Sequence, residues 1–431
     1  MKAPMKIFLL FIYVITFYAP HAHAMLTVFD KDDWKLGITG FVELDSIYDS
    51  TRSFNESPGN TPVSRFGTTN GDNGRTQMSL RNSRLALSLD APEVDEWKTN
   101  GYIETDFLGY DPSAPAVTEN AYFTNPTLRL RHAYFSVEKN GWQILAGQTW
   151  SLFGWQSGYF LSTVSVAPVA GMLYQRTPRA SVIKTIDLGA THSVQTGVSL
   201  ERPTQRDSTV PNVQAALKWM FAGRKSAYAT PTGWDPRGVP MSVEVSGTFR
   251  EYEFSNTIHQ SGEAIATDIQ IPILESHDKD LSNSITLTGE FTYGTGYGDE
   301  FSNWTGGLPQ LSTASNPPAT TNLDPGLGGA TQAGGFALVD LQTFNGQLQY
   351  FLNNTQWFTI GYAQLSSSNM AQFIPSAGIY DKTEVYFVNA AHDFTPHVRV
   401  ALEAAQFVTH YLSDLSRARD NRVILSGFFR F

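Results

Sequence analysis

The last ten residues of the chain, Arg422-Val-Ile-Leu-Ser-Gly-Phe-Phe-Arg-Phe431, decide the fold class. Successive side chains of a β-strand point to opposite faces. One face then carries the apolar residues Val423, Leu425, Gly427, Phe429 and Phe431. Such a strand crosses a bilayer in about 9 to 11 residues, but its backbone is satisfied only inside a closed barrel. The segment therefore predicts the final strand of a transmembrane β-barrel.

The same period-two alternation recurs along the chain, for example over 241–250, where Val243, Val245 and Phe249 alternate with polar residues. A polar face indicates contact with water, although a soluble sandwich also alternates. Sixteen segments are predicted as strands: 35–49, 77–90, 98–108, 127–138, 141–149, 179–187, 191–201, 211–220, 241–254, 263–275, 283–293, 336–351, 355–366, 382–392, 396–408 and 421–431. An even count returns both termini to one side, as single-chain bacterial barrels require. We predict an all-β, antiparallel, 16-stranded transmembrane barrel.

Connection lengths orient this barrel. The short connections are 91–97, 139–141, 188–190, 276–282, 353–354 and 393–395. The long ones are 50–76, 109–126, 150–178, 294–335, 367–381 and 409–420. Outer-membrane barrels have short periplasmic turns and long extracellular loops, so the alternation predicts that orientation. The segment 221–240 is an exception, being long on the short side, which indicates either a misplaced strand boundary or a periplasmic excursion.

The composition fits a lipid-facing barrel. Aromatic residues make up 13% of the chain and charged residues 16%, below the roughly 25% charged residues usual in soluble domains. There is no cysteine, so no disulfide contributes to stability. The net charge of −10 argues against a nucleic-acid partner.

Residues 1–24 have the pattern of a secretory signal peptide. Two lysines precede an apolar run from Ile7 to Tyr18, and Ala22-His-Ala24 has the small residues of a cleavage site. The run is well short of the roughly 20 residues that a membrane-spanning helix needs. We therefore predict a removed signal peptide at 1–24 and one barrel domain at 25–431, located in the bacterial outer membrane.

Aromatic residues at strand ends predict two interfacial girdles, where amphipathic rings lie at the lipid headgroups. The girdle beside the short turns would contain Trp34, Trp97, Trp142, Trp219, Tyr350, Trp357 and Phe431. The opposite girdle would contain Tyr110, Tyr252, Tyr293 and Tyr411. The alternative is that aromatic residues simply favour strands.

Three stretches resemble a known family: Arg81-Asn-Ser-Arg-Leu85, Leu130-Arg-His-Ala-Tyr-Phe-Ser-Val137 and Leu145-Ala-Gly-Gln-Thr-Trp-Ser-Leu-Phe153. Together they are similar to the DcaP-like outer-membrane porins. The resemblance implies a sixteen-stranded barrel whose third loop folds inward, and it implies a homotrimer.

Candidate solute-binding residues lie around the third long loop. No Asp or Glu occurs from Thr149 to Arg179, and Arg176 and Arg179 lie at the end of this loop. The strand phase places Arg84, Arg129 and Arg131 on the inner wall. A basic cluster between low-dielectric walls attracts anions. Because a guanidinium binds a carboxylate with two parallel hydrogen bonds, a dicarboxylate or similar organic anion is the specific hypothesis.

Carboxylates near the same wall leave an alternative open. The inward phase of neighbouring strands also contains Glu43, Asp45, Glu104 and Asp106. These side chains could neutralise the arginines and leave a polar, weakly selective lumen. Glu104 and Asp106 therefore belong to the candidate pore lining.

These patterns predict a passive diffusion channel for small hydrophilic solutes, with a mild preference for organic anions and with outer-membrane lipid around it. No cofactor, metal or catalytic residue is predicted, because no metal-ligand spacing or nucleophile motif occurs. The alternative is an adhesin or structural barrel that acts through its long loops. A transporter with an N-terminal hatch is disfavoured, because the first strand begins near residue 35.

Overall fold

A computed structural model shows the chain as a closed antiparallel β-barrel. The structure describes residues 25–109, 127–164, 169–205, 208–233, 236–255, 257–277, 279–311 and 323–431. The predicted signal peptide at 1–24 lies outside these ranges. Within them, no helix has the length and apolar character needed to cross a membrane.

Twenty strands occur in the described residues. The first ten are β1 Leu26–Lys31, β2 Trp34–Asp49, β3 Arg75–Ser79, β4 Arg84–Asp90, β5 Lys98–Asp106, β6 Arg129–Lys139, β7 Trp142–Trp150, β8 Arg176–Asp187, β9 His192–Glu201 and β10 Asn212–Tyr228. The others are β11 Arg237–Ser255, β12 Ile258–Leu274, β13 Ser284–Thr295, β14 Gly328–Ala330, β15 Phe336–Leu338, β16 Asp340–Asn353, β17 Gln356–Ser367, β18 Tyr380–Thr395, β19 Val398–Tyr411 and β20 Arg417–Arg430. Three short 3-10 turns occupy Phe153–Trp155, Gly298–Glu300 and Met370–Gln372.

The barrel wall contains sixteen strands when β3 and β4 are counted as one. Strands β3 and β4 both pair with β2 and together make the second wall strand. The seam closes where β2 pairs with β20, from Phe41 opposite Arg430 to Asp49 opposite Arg422. Phe431 extends the seam by exchanging two backbone hydrogen bonds with Gly40, both 3.0 Å. The predicted fold class and strand count are confirmed.

The two faces of the wall differ as the alternation predicts. In β11, Val245 and Phe249 are 42% and 39% exposed on the outer surface, whereas Glu244 is 1% exposed inside. Outward-facing Leu348, Ile360 and Val388 continue this apolar surface on β16, β17 and β18. The exterior therefore suits lipid, and the polar side chains line the interior.

Several predicted boundaries differ from the structure. Strand β10 continues to Tyr228 and β11 begins at Arg237, so of the two explanations of 221–240 the misplaced strand boundary agrees with the structure. The ladder of these two strands slips between Phe221 and Lys225, which marks a bulge. The hairpin of β1 on β2 was not predicted. At the extracellular end of the barrel, where long loops are predicted, the connections 202–211 and 256–257 are short. Long and short connections therefore do not alternate along the whole barrel.

The girdle prediction is partly wrong. Trp34, Trp97, Trp142, Trp219 and Tyr350 are exposed beside the short turns, as is Tyr293 at the other rim. Trp357, Tyr252 and Tyr411 are instead buried inside the barrel. Each occupies the inward phase of its strand, where a ring packs on loops or charged groups and not on lipid. Tyr110 lies outside the described residues.

A glycine on β7 occupies a position where the neighbouring strand comes too close for a side chain. Gly147 has a φ of 132°, and a Cβ there would lie 2.3 Å from the carbonyl oxygen of Ala133. We expect Gly147→Ala to lower the free energy of unfolding by about 1–3 kcal/mol through strain and this clash. The measurement is the temperature at which the barrel loses its heat-resistant mobility on a gel. Gly427→Ala is the matched control, because nothing lies within 4 Å of a Cβ at that position. Equal effects of the two substitutions would contradict the prediction.

Candidate functional site: the lumen and its arginine wall

The described parts of the third loop, residues 151–164 and 169–175, lie inside the barrel. Backbone N–H groups of the loop donate to inward-facing side chains: Gly154 to Ser246 Oγ at 2.7 Å, Ser162 to Gln347 Oε1 at 2.6 Å, and Val164 to Glu403 Oε2 at 2.8 Å. These acceptors lie on β11, β16 and β19, whereas the loop leaves from β7 and returns to β8. The loop therefore crosses the lumen to the far wall.

Two other long loops pack against it. The backbone N–H and side-chain Nδ2 of Asn60, in the loop after β2, donate to the carbonyl oxygen of Ser302 at 2.9 and 3.0 Å. Asn60 Oδ1 accepts from the N–H of Gly171 in loop 3 at 3.2 Å. Val63, Leu173 and Trp304 belong to one apolar cluster. The three loops thus form a single packed unit inside the extracellular mouth.

Arg129 and Arg131 are paired on the inner wall. Arg129 donates from Nε and Nη2 to the two oxygens of Asp106, at 3.0 and 2.6 Å. Arg131 pairs with Glu104 and contacts Asp106 Oδ2 at 3.1 Å. The pairing that the alternative expects is therefore present for these two arginines.

A bulge in β6 arranges this part of the wall. The register with β5 shifts between Glu104 and Thr105, opposite Arg131. Strict alternation would point His132 outward, but both Arg131 and His132 are buried inside. His132 Nδ1 lies 3.0 Å from Thr149 Oγ1. The histidine is a wall residue, held by its neighbour on β7.

Arg84 and Arg176 differ from the paired arginines. In the described part of the chain neither forms an ion pair. Arg84 Nη2 donates to Asn82 Oδ1 at 3.2 Å, and its Nε is buried without an acceptor. Nη1 of Arg176 also has no acceptor, and its guanidinium carbon lies 4.7 Å from the ring centre of Trp150. These two side chains therefore add guanidinium groups that are not ion-paired with a described carboxylate.

The other candidates take different places. Arg179 approaches Glu201 only to 4.0 Å. Glu43 accepts from Asn82 Nδ2 at 2.5 Å, and Asp45 accepts from Ser426 Oγ. The carboxylates of Glu43 and Asp45 thus bind neutral donors and do not pair with arginines. Arg176 begins β8 and belongs to the wall, which corrects its placement on the loop.

An aromatic patch beside the arginines was not predicted. The ring centres of Trp150, Phe160 and Tyr174 lie 4.7 to 5.4 Å apart. All three rings are partly exposed. Trp150 directly precedes loop 3 and Tyr174 lies near its end, which is the one sequence signal that could have indicated the patch. Apolar ring surface therefore adjoins the unpaired guanidinium groups.

Tyr174 gives this site a pH dependence. Burial raises the pKa of Tyr174, but the positive charges of Arg131, Arg176, Arg84 and Arg129 outweigh burial and lower it to about 7. The phenol is neutral below this pH and becomes an anion above it, so a negative charge appears among the arginines as the pH rises. We expect the anion preference of the channel to fall between about pH 6 and pH 8. Reversal potentials in a salt gradient measure this, and Tyr174→Phe should remove the change. An unaltered pH profile in Tyr174→Phe would contradict the assignment.

The described residues contain no group of three or more His, Asp or Glu side chains arranged to hold a metal ion. The expectation of no cofactor, metal or catalytic residue stays a prediction.

Solved structures of outer-membrane channels are similar to this chain over more than nine-tenths of its length. The crystal structure of the outer membrane channel DcaP of Acinetobacter baumannii has a TM-score of 0.65 at 18% identity, covering 94% of this chain and 100% of that one. The chain has the fold of outer-membrane porins. The anion-selective porin from Comamonas acidovorans gives a TM-score of 0.57 at 10% identity, covering 92% of this chain and 100% of that one. The sequence matches no protein-family model and no curated protein.

The porin fold also gives the location. A closed barrel with an even strand count, an apolar exterior and a polar interior is the structure that spans bacterial outer membranes. The wall described above has all of these properties. The protein is therefore an outer-membrane barrel.

Proposed function

We propose that the protein is a porin, a passive channel through which small hydrophilic solutes diffuse across the outer membrane. The porin fold and the polar inner wall support this function. Loop 3 and the wall opposite it set the narrow part of the passage, and the solute gradient supplies the direction. Passive diffusion of this kind requires only water, wall charges and a constriction.

We further propose that the channel prefers organic anions such as dicarboxylates. The observation that carries this proposal is that, among the residues that the structure describes, neither Arg84 nor Arg176 forms an ion pair with a carboxylate. Arg129 and Arg131 are paired with Asp106 and Glu104, so they add polarity but little net charge. The partly exposed rings next to Arg176 offer apolar surface for the carbon chain of an organic anion.

A planar-bilayer experiment tests both parts. Discrete conductance steps from the purified protein would support a channel, and a reversal potential in a potassium chloride gradient reports anion preference. Succinate should reduce the chloride current more than acetate at equal ionic strength, because two guanidinium groups can each bind one of its carboxylates. Equal effects of the two acids would remove dicarboxylates from the proposal.

The structure does not favour the adhesin alternative. That function needs long loops available for a partner, and the loops after β2 and β13 pack on each other and on loop 3 through Asn60, Ser302 and Gly171. A purified barrel that gives no conductance steps would reverse this preference.

The assembly and export of the protein are proposals as well. The resemblance to DcaP-like porins implies a homotrimer, and we propose that state. The mass of the native complex in detergent tests it. We also propose that 1–24 is removed as a signal peptide, which the N-terminal sequence of the membrane-extracted protein would reveal.

A further inference from the structure

Residues 229–233, the described part of the turn that follows β10, lie inside the barrel and not in the periplasm. Past the bulge after Phe221, β10 and β11 continue as a narrow ladder to the pair formed by Tyr228 and Arg237. Ser226, Ala227, Tyr228 and Ala229 are all buried. We call the uncharged segment 226–233 the inner hairpin. It fills part of the periplasmic half of the lumen.

An arginine on the far wall holds the backbone of this hairpin. Nη1 of Arg399, on β19, donates to the carbonyl oxygens of Thr230, Pro231 and Gly233 at 3.2, 2.9 and 2.8 Å. Its Nε and Nη2 donate to the two oxygens of Asp393 at 2.6 and 2.9 Å. The guanidinium is thus paired with Asp393, whose Oδ1 also lies 3.3 Å from Arg430, while its remaining N–H groups bind the hairpin.

A second wall residue binds the hairpin from β16. Gln349 Nε2 donates to the carbonyl oxygen of Ala229 at 2.8 Å, and Gln349 Oε1 accepts from the N–H of Ala229 at 3.4 Å. Gln349 and Arg399 are both fully buried. The hairpin therefore spans from β10 and β11 to β16 and β19, which lie three or more wall strands away in the sheet.

The inner hairpin also meets loop 3. Tyr228 Oη donates to the carbonyl oxygen of Phe160 at 2.8 Å. Val164 of loop 3 shares an apolar cluster with Ala227, Ala229 and Trp357. The two inward segments, one from each end of the barrel, therefore support each other at mid-depth.

We propose that the inner hairpin is a second constriction, in series with loop 3, and that it limits the size of solutes that pass. This inference rests on the proposed channel function. Residues 226–233 carry no charged side chain, so this segment restricts size without adding charge of its own. Charge preference stays with the arginine wall around Arg84 and Arg176.

The first test deletes residues 226–233, leaving 234–239 to connect Lys225 with Pro240. We expect single-channel conductance to rise by about twofold or more, because a constriction dominates the resistance of a pore. The reversal potential should stay unchanged, since the deletion removes no charge. Unchanged conductance in a folded barrel, judged by its heat-resistant gel mobility, would overturn the proposal.

The second test does not depend on the deletion folding. The chain contains no cysteine, so Thr232→Cys places a single thiol on the partly exposed part of the hairpin. Labelling with N-ethylmaleimide should lower the conductance, whereas Ala190→Cys, exposed in the turn after β8, is the matched control. Complete labelling at both sites with equal, unchanged conductance would overturn the proposal.

The outcomes separate this inference from the proposed function. If neither the parent nor the deletion protein gives conductance steps, the channel function and the hairpin role are both overturned. If the parent protein gives no conductance steps but the deletion protein does, the result supports the hairpin as the barrier. Conductance steps of equal size in both proteins would leave the channel function intact and overturn the hairpin role alone.

Discussion

Replacing Arg84 and Arg176 together with glutamine is expected to lower the anion-to-cation permeability ratio by roughly tenfold. A unit charge about 4 Å from a permeating ion contributes about 1 kcal/mol in water, and 1.4 kcal/mol corresponds to a tenfold ratio. Both guanidinium groups lie beside loop 3 without a carboxylate partner in the described residues. Reversal potentials in a potassium chloride gradient measure the change.

The matched control for this pair is Arg417→Gln with Arg419→Gln. These two arginines are exposed at the start of β20, so the control removes the same net charge away from the lumen. Its permeability ratio should stay close to that of the parent protein. Arg129→Gln should have a smaller effect than Arg84→Gln, because Arg129 is bound to both oxygens of Asp106. Equal changes of the permeability ratio in the lumen and control variants would contradict the assignment of charge preference to this wall.

Replacing Arg422 with alanine is expected to lower the free energy of unfolding by about 3–5 kcal/mol, because it leaves a buried carboxylate without its partner. Arg422 Nε and Nη2 donate to the two oxygens of Asp49 at 2.6 and 2.9 Å, and both side chains are fully buried at the barrel seam. The same guanidinium donates to the carbonyl oxygens of Asn55 and Glu56 at 2.7 and 3.1 Å. The substitution should therefore loosen both the seam and the loop after β2.

Heat-shifted gel mobility measures this loss, with unfolding in denaturant as a second readout. Arg419→Ala is the control, because this arginine lies on the same strand but is exposed. Arg422→Lys should fall between the two, since an ammonium group cannot form the paired contacts of a guanidinium. A transition temperature of Arg422→Ala equal to that of Arg419→Ala would show that the buried pair adds no stability.

The barrel wall could be predicted from the sequence because lipid and water impose opposite polarity on alternate residues. The segments inside the lumen could not. Residues 226–229 are buried on both faces by wall and loop, so they show no alternation, and β10 was predicted to end at 220. Asn60 and Ser302 bind each other across a separation of 242 residues, which no local pattern indicates.

The candidate site was predicted in its residue types but not in its pairing. Strand phase correctly placed Arg84, Arg129 and Arg131 inside, yet it gave no information on which carboxylate each would meet. The stagger of the strands sets Asp106 opposite both Arg84 and Arg129, and the bulge at Arg131 lets that side chain reach Asp106 as well. The aromatic patch also depends on the return path of loop 3.

Arg422 and Arg399 bind inward-folded segments in the same way, one from the extracellular side and one from the periplasmic side. Each guanidinium is fixed by an aspartate and recognises main-chain oxygens, which every amino acid supplies. Side chains of the inward-folded segments can therefore change without loss of these hydrogen bonds, provided that Arg422 and Arg399 are kept. Homologues of this barrel should consequently vary freely in the side chains of these segments while keeping the outline of the bore.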